Sequence, residues 1–277
     1  FVHVDEFQDF SEMFMDFIQA IRGQAPGAVL CCVGDDWQAI NGFAGADLRF
    51  FSNFDEFFPS AATQQLLTNY RSGRGIVSAG NAVMEGLGEP ARSIKPQPGS
   101  IRIARLTDFE PSLTERHLFP GDVGTPALLR LIKHGLAETD GTVAVLLRRN
   151  TIPWFTNTGL GAFGRKLDGY LSYLRSHVPE ADGRRLDVTT THKYKGREAD
   201  FVIVADADKQ SYPLIHPTAE LFEIFGDSVA SLTDADRRLF YVATTRAESS
   251  LCYLVTSEYP SSFLGTVFAM STPVNWR

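Results

Sequence analysis

Short apolar runs alternate with amphipathic helical segments along most of this 277-residue chain. The runs at Ala28–Val33 and Thr142–Leu147 are almost wholly apolar, which indicates strands that are buried on both faces of a sheet. Before the first of these runs, Phe14, Phe17 and Ile18 recur at helical spacing. Strands and helices that alternate in this way predict an α/β fold, with a mostly parallel sheet flanked by helices.

The same patterns give the other expected elements, and residues 86–100, which are rich in proline and glycine, are predicted to be a surface connection. Further strands are predicted at Phe1–Val4, Ser100–Leu106, Leu186–Thr190, Phe201–Ala205 and Ser250–Thr256. Helices are predicted from Ser11 to Gly23 and at Asp47–Phe58, Arg74–Met84, Thr125–Ala137, Gly159–His177 and Asp234–Arg246.

Composition narrows the class of protein. With 44% hydrophobic and 21% charged residues, the chain suits one large globular domain or two ordinary ones. No run approaches the ~20 apolar residues of a membrane-spanning helix, and no signal peptide is visible, so no membrane association is expected. The net charge of −7 argues against a generic polyanion-binding surface, although a local basic groove remains compatible with it.

The three cysteines, Cys31, Cys32 and Cys252, lie in apolar strand-like runs without metal-ligand spacing. They are predicted to be buried, reduced thiols, which favours a cytoplasmic protein. Phe1 lies within a strand-like run with no initiator Met before it, and this indicates a fragment of a longer protein.

Two adjacent carboxylates, Asp5 and Glu6, follow the first predicted strand. Ligands of α/β proteins bind at the carboxyl ends of parallel strands. One carboxylate there can hold Mg²⁺ on phosphates while the next polarises an attacking water, as nucleotide hydrolysis requires. The simpler alternative is an acidic pair that caps the helix beginning near Ser11.

A second polar segment, residues 34–47, follows the second strand and contains Asp35, Trp37, Gln38 and Phe43. A Gln at a phosphate site can orient water, and an exposed aromatic ring can stack on a base. A glycine-rich turn with core aromatics is the alternative. Further along, Tyr70 and Arg71 offer a flat ring and a planar fork of donors suited to phosphate, or else an ordinary salt bridge beside a half-buried ring.

The fourth segment, residues 189–200, is polar and basic and lies between two predicted strands. Glu198 could accept a hydrogen bond from a ribose hydroxyl, and Thr191, His192 and Lys195 could meet a nucleic-acid backbone. A solvated charged loop is the alternative. In the fifth segment, residues 236–248, apolar residues at helical spacing predict a buried helical face, and Arg246 follows this face by one turn. Arg246 could act as an arginine finger, or it could simply complement the helix dipole.

In this order the five segments resemble motifs II to VI of UvrD/Rep-type superfamily 1 DNA helicases. The sequences VDEFQD, NYRS and RRLFYVATTRA carry the resemblance most specifically, and VAVLLRRN at residues 143–150 looks like the family's strand between motifs IV and V. The resemblance implies a RecA-like P-loop NTPase fold. It places the end of an incomplete first lobe at residues 1–68 and the second lobe at residues 69–277, with a short insertion near 150–186.

The resemblance also implies ATP and Mg²⁺ as cofactors. On the DNA side, Phe43 would stack on single-stranded DNA and His192 would lie near the DNA path. On the nucleotide side, the implied residues are Asp5 for Mg²⁺, Glu6 as general base, Gln38 as γ-phosphate sensor, Arg71 and Arg246 on the γ-phosphate, Tyr70 near the adenine and Glu198 on the ribose.

The chain departs from the family pattern at several positions. It contains no GxxxxGKS or GxxxxGKT phosphate loop, which is therefore expected in an N-terminal remainder of the same protein. Ala44 stands where an Arg is usual, which calls the normal coupling of ATP to DNA into question, and Asn41 and Arg197 also replace more typical residues.

The resulting hypothesis is part of an ATP-dependent, 3′-to-5′ helicase that acts on single-stranded and duplex DNA. The isolated chain is expected to be inactive in ATP hydrolysis because it lacks the phosphate loop. The alternative is a catalytically inactive helicase-like module that binds DNA or a partner protein.

Overall fold

A computed structural model describes residues 1–152, 154, 167–216, 218 and 228–276 of the chain. Short strands lie in the N-terminal part and longer ones between residues 100 and 255. The described strands are β1 (Val2–Val4), β2 (Leu30–Cys32), β3 (Thr68–Asn69), β4 (Arg92–Ser93), β5 (Ser100–Arg105), β6 (Val143–Leu147), β7 (Leu186–Thr190), β8 (Ala199–Val204), β9 (Ala247–Val255) and β10 (Thr272–Pro273).

The main sheet has the order β10-β5-β9-β8-β6-β7, and each neighbouring pair in it is parallel. Val143 of β6, for example, is in register with Leu186 on one side and Phe201 on the other. Parallel neighbours need crossover connections, which here are helices packed on both faces of the sheet. The predicted α/β fold with a mostly parallel, helix-flanked sheet is confirmed.

Helices connect most of the strands. The described helices are α1 (Glu12–Gln24), α2 (Arg49–Ser52), α3 (Phe54–Phe57), α4 (Arg74–Val83), α5 (Leu113–Leu118), α6 (Gly124–Glu138), α7 (Leu167–Arg175), α8 (Glu180–Gly183), α9 (Thr191–Tyr194) and α10 (Val229–Thr244).

Helix boundaries differ from the predicted ones at three places. The single helix predicted over residues 47–58 is interrupted at Asn53, whose φ of −111° and ψ of 39° are not helical. Residues 159–166 of another predicted helix lie outside the described part of the chain, and α7 is described from Leu167. Helix α10 begins at Val229 and ends at Thr244, so Arg246 follows the helix rather than closing it.

The core of the main sheet has two apolar layers. Ala144 and Leu146 of β6 point to one layer, with Ile76 of α4 and Phe240 of α10. Val143, Val145 and Leu147 point to the opposite layer, which contains residues of α6 and α7. All five residues of β6 are buried, which explains why this strand reads as a continuous apolar run.

A separate small sheet pairs β1 with β2 in parallel. A third apolar cluster, which includes Phe7, Phe10 and Ile18, packs near it. The prediction of three buried thiols was wrong for Cys31: all three cysteines are free, but Cys31 is exposed and Cys32 is half-buried, while Cys252 is buried. Side chains alternate along β2, and the cluster lies on the face opposite Cys31. None of the described helices combines the length and apolarity needed to cross a membrane.

Candidate nucleotide and nucleic-acid site

The acidic pair lies directly after β1. Both carboxylates are exposed, and the backbone nitrogen of Glu6 donates to Oδ1 of Asp5 at 2.9 Å. Glu6 has a φ of 52°, in the left-handed region that residues other than glycine rarely adopt. Backbone conformations of this kind cost free energy and cluster at functional sites. The strand therefore ends in a turn that presents two adjacent carboxylates at the edge of the sheet.

The buried side chain of Gln8 holds this turn in place, although the sequence pattern assigned it no role. Its side chain is almost fully buried, with 1% of its surface exposed. Its amide nitrogen donates to Oε2 of Glu6 at 2.5 Å, and its Oε1 accepts from the backbone nitrogen of Asp35 at 2.9 Å. Gln8 therefore ties the end of β1 to the end of β2. The only sequence signal for this role was its place within VDEFQD.

Gln38 lies on the turn that follows β2. Its amide nitrogen donates to Oδ2 of Asp35 at 2.7 Å, and the same carboxylate caps the turn through the backbone nitrogen of Trp37 at 3.0 Å. The amide oxygen of Gln38 accepts from Nη2 of Arg246 at 3.2 Å. Since one end of the amide is fixed by Asp35, its oxygen is directed toward the arginine.

Arg246 is a buried cation with 1% of its surface exposed. Its Nε donates to the carbonyl of Val242 at 3.1 Å, and its Nη1 donates to the carbonyl of Arg197 at 3.3 Å. Burial, followed by the nearby cation of Arg71, lowers the pKa of Arg246 to about 10. The group therefore stays charged at neutral pH, held by carbonyl and amide oxygens.

Arg71 and Glu198 are paired with each other. Nε of Arg71 lies 2.6 Å from Oε2 of Glu198, although the two residues were predicted to contact different parts of one nucleotide. Tyr70, beside Arg71, is 71% exposed, so its ring face is available for stacking. The pair and the ring belong to the residues that were predicted to form the second lobe.

Lys195 is placed differently from a free phosphate-binding lysine. Its Nζ lies 2.5 Å from Oδ2 of Asp9 and 3.3 Å from Oε2 of Glu6, and only 12% of its side chain is exposed. Nδ2 of Asn41 donates to the same oxygen of Asp9 at 2.8 Å. Neither Asp9 nor Asn41 had a predicted contact, and no sequence pattern would have shown this one.

The residues predicted to face DNA partly converge. The rings of Phe43 and His192 meet edge to face, with centroids 5.5 Å apart, and Phe43 is 79% exposed. Burial, together with the cation of Arg148, lowers the pKa of His192 to about 4, so its ring is neutral at pH 7. Thr191 is fully buried, and its hydroxyl lies 3.0 Å from that of Tyr212.

Only a few of the described side chains could bind Mg²⁺ and a nucleotide at this site. Among the described residues no group of three or more acidic, His or Cys side chains could hold a metal. Mg²⁺ bound with phosphates needs only one or two protein carboxylates, because it keeps several waters. The exposed carboxylate of Asp5 at the end of a parallel strand suits that role, and the arginines with Gln38 suit a phosphate group.

The helix-flanked parallel sheet, together with the polar residues after β1 and β2 that contact Arg246 and Lys195, defines an α/β protein of the RecA-like class. Residues 1–59 match the model of the UvrD/REP helicase N-terminal domain, and residues 171–258 match the model of the UvrD-like helicase C-terminal domain. The chain belongs to the UvrD/Rep-type family of superfamily 1 helicases.

Relatives with curated names support the same family. The chain is 29% identical to DNA helicase IV of Escherichia coli over 98% of its own length and 36% of that protein. It is 36% identical to the ATP-dependent DNA helicase PcrA of Staphylococcus epidermidis over 31% of the chain and 11% of PcrA. The chain therefore spans about a third or less of the length of these relatives.

A solved structure, the C-terminal domain of a possible DNA helicase from Lactobacillus plantarum, is 16% identical, with a TM-score of 0.41. The alignment covers 74% of this chain and 98% of that one.

Proposed function

We propose that this chain is the C-terminal part of an ATP-dependent DNA helicase that moves 3′ to 5′ along single-stranded DNA and unwinds duplexes. The observation that carries the proposal is the contact between Arg246 and Gln38, which lie 208 residues apart and have predicted roles at the same phosphate. The contacts of Lys195 with Glu6 and Asp9 bring the same two regions together a second time. Membership of the helicase family supports the reaction class.

In the proposed mechanism, ATP and Mg²⁺ supply the phosphoanhydride bond and the charge neutralisation that phosphoryl transfer to water requires. Asp5 would hold the metal through its exposed carboxylate, and Glu6 would accept a proton from the attacking water. Gln38 would act as the sensor of the terminal phosphate of ATP. Arg246 and Arg71 stabilise the charge that develops on the phosphate oxygens.

In this proposal, Arg71 and Glu198 must also separate from each other before they can contact the nucleotide. Arg71 is paired with Glu198, so binding of a nucleotide would exchange that contact for contacts with phosphate and ribose. Tyr70, which is exposed, would stack beside the base. We propose residues 1–68 as the end of the first lobe and residues 69–277 as the second lobe, so that the nucleotide lies between them.

The phosphate loop is the part of this site that the sequence does not contain. The full-length protein is proposed to carry it upstream of Phe1, and the isolated chain is proposed to be inactive because its sequence lacks the loop that cradles the phosphates. The alternative, a catalytically inactive module that binds DNA or a partner, predicts an upstream sequence without that loop.

The test measures ATP hydrolysis by the full-length protein with and without single-stranded DNA, beside the 277-residue chain alone. Stimulation by DNA in the full-length protein, with no turnover by the chain, supports the proposal. DNA binding without hydrolysis by the full-length protein supports the inactive module. Steady hydrolysis by the isolated chain contradicts the proposed need for the upstream loop.

A further inference from the structure

Lys195 holds two carboxylates of the first-lobe region at once. Its ammonium is 2.5 Å from Oδ2 of Asp9 and 3.3 Å from Oε2 of Glu6. Only 12% of its side chain is exposed, so most of its capacity to donate is used inside the protein. A lysine in this position stabilises a particular arrangement of acids rather than offering a free charge to a nucleic-acid backbone.

Asp9 joins the two segments that carry the predicted DNA-facing rings. Its Oδ2 accepts from both Lys195 and Asn41, the latter at 2.8 Å. Asn41 lies two residues before Phe43, and Lys195 lies three residues after His192. The rings of Phe43 and His192 are themselves in contact. The two segments are therefore joined twice, once through the rings of Phe43 and His192 and once through Asp9.

The other end of this set of contacts is the carboxylate of Glu6. Its Oε2 accepts from Gln8 and lies next to Lys195. Gln8 is buried and anchored to the backbone of Asp35, so it moves with the first-lobe region. Lys195 comes instead from the segment that contacts Phe43. If that segment were displaced, Lys195 would move relative to Glu6, whereas Gln8 would stay in place.

We propose that Asn41, Asp9 and Lys195 form a coupling link through which occupation of the Phe43–His192 surface by single-stranded DNA sets the orientation of the Glu6 carboxylate. The inference deepens the proposed function and rests on it. Lys195 is then a positioning residue for the general base and not a phosphate contact. The link gives the chain a route between DNA and ATP that does not need an arginine at Ala44.

The first test uses the 277-residue chain and the affinity for fluorescein-labelled oligothymidylate, measured by anisotropy across a salt series. Loss of a phosphate contact lowers the slope of log affinity against log salt by about 0.7 for a single strand. Lys195→Met is expected to leave that slope unchanged. Asn41→Ala and Lys195→Met are expected to be non-additive in affinity, because both act through Asp9.

The matched control is Lys193→Met, which removes the same charge from an exposed lysine two residues before Lys195, in helix α9. Its effect is expected to combine additively with that of Asn41→Ala, because it has no place in the link. Additive effects of Asn41→Ala and Lys195→Met, or a lowered salt slope for Lys195→Met, would overturn the link and return Lys195 to the DNA backbone.

The second test uses the full-length protein at saturating DNA. Lys195→Met is expected to lower the DNA-stimulated kcat about tenfold, a coupling free energy of ordinary size, with KM for ATP within about twofold of wild type. Lys195→Arg is expected to restore most of the stimulation, because it also reaches a carboxylate. Lys193→Met should leave the stimulation unchanged.

Outcomes of the two tests separate the inference from the function on which it rests. Full stimulation in Lys195→Met at saturating DNA rejects the link while the helicase assignment stands. A wild-type protein that neither binds single-stranded DNA nor hydrolyses ATP rejects the proposed function, and the link with it. Non-additivity together with a loss of stimulation that Lys195→Arg restores supports the link.

Discussion

The guanidinium of Arg246 donates to the amide oxygen of Gln38 at 3.2 Å, although 208 residues separate the two. Arg246 is buried and held by two backbone carbonyls, and Gln38 is held by Asp35. Both side chains are therefore fixed where they meet. Two residues with predicted roles at one phosphate are already within hydrogen-bond distance, and this preorganisation is what electrostatic catalysis requires.

The general base is tested by Glu6→Gln in the full-length protein. The amide keeps the size of the side chain but cannot accept the proton, so DNA-stimulated hydrolysis should fall at least about 100-fold. Affinity for ATP should stay close to wild type, as measured by binding of a fluorescent nucleotide. Glu12→Gln, at an exposed position on α1, is the control and should keep wild-type turnover. Wild-type turnover in Glu6→Gln would exclude Glu6 as the base.

The stacking role is tested by Phe43→Ala in the 277-residue chain. Stacking of one base on an aromatic ring contributes about 1–3 kcal/mol, so affinity for oligothymidylate should fall about tenfold or more. Phe17→Ala is the matched control, because Phe17 is also exposed, at 62%, but lies on α1. Equal affinities of the two variants would remove Phe43 from the DNA surface.

The close packing behind the acidic pair is tested by Gly34→Ala. A Cβ on Gly34 would lie 2.6 Å from Oε1 of Gln8 and 2.8 Å from the ring of Phe51. Overpacking of this kind typically costs about 1–3 kcal/mol of unfolding free energy, measured here by urea denaturation. Gly42→Ala is the control, because a Cβ there meets nothing within 4 Å. Equal stability of the two variants would show that the side chain of Gln8 can shift to accommodate the added methyl group without loss of unfolding free energy.

The protonation state of His192 gives a pH test. Its pKa is lowered to about 4, first by burial and then by Arg148, whereas an unfolded histidine titrates near 6.5. Between these values the unfolded chain binds the additional proton, so stability should decrease as the pH falls from about 6.5 to about 4. Thermal melts of wild type and His192→Gln across this window should show a smaller decrease in the variant. Parallel curves would mean that His192 is protonated as readily in the folded protein.

Asp206 should act in the opposite direction. Burial is the main cause that raises its pKa to about 7, and the neighbouring carboxylate of Asp208 raises it further. An unfolded aspartate ionises near 4, so the folded state loses stability as the pH rises from about 4 through about 7. Asp206→Asn removes the ionisable group, and asparagine tolerates the φ of 54° found there.

The measurement for Asp206→Asn is the difference in melting temperature from wild type. This difference should grow in favour of the variant between about pH 4 and pH 7 and then level off. Taking the difference cancels the contribution of His192, which both proteins share. A difference that does not vary with pH would contradict a raised pKa at Asp206.

The strands and helices could be predicted from the sequence because their apolar patterns depend only on residues close together in the chain. The continuous apolar run of β6 predicted a doubly buried strand, and all five residues are buried. The apolar spacing of α10 likewise placed Leu239, Val242 and Ala243 in the core. Periodicity failed at Asn53, where a single residue leaves the helical conformation, and at Cys31, whose strand is covered on one face only.

The amino-acid sequence alone determined the α/β class, the family and the candidate residues at the strand ends, because these follow from periodicity and from short motifs. Only the tertiary structure decided which of those residues meet. It pairs Arg71 with Glu198, buries Thr191 and turns Lys195 onto Asp9 and Glu6. The ion pairs of Arg71 and Lys195 join residues more than a hundred positions apart. Tertiary packing decides which residues meet in this way, and no local pattern records it.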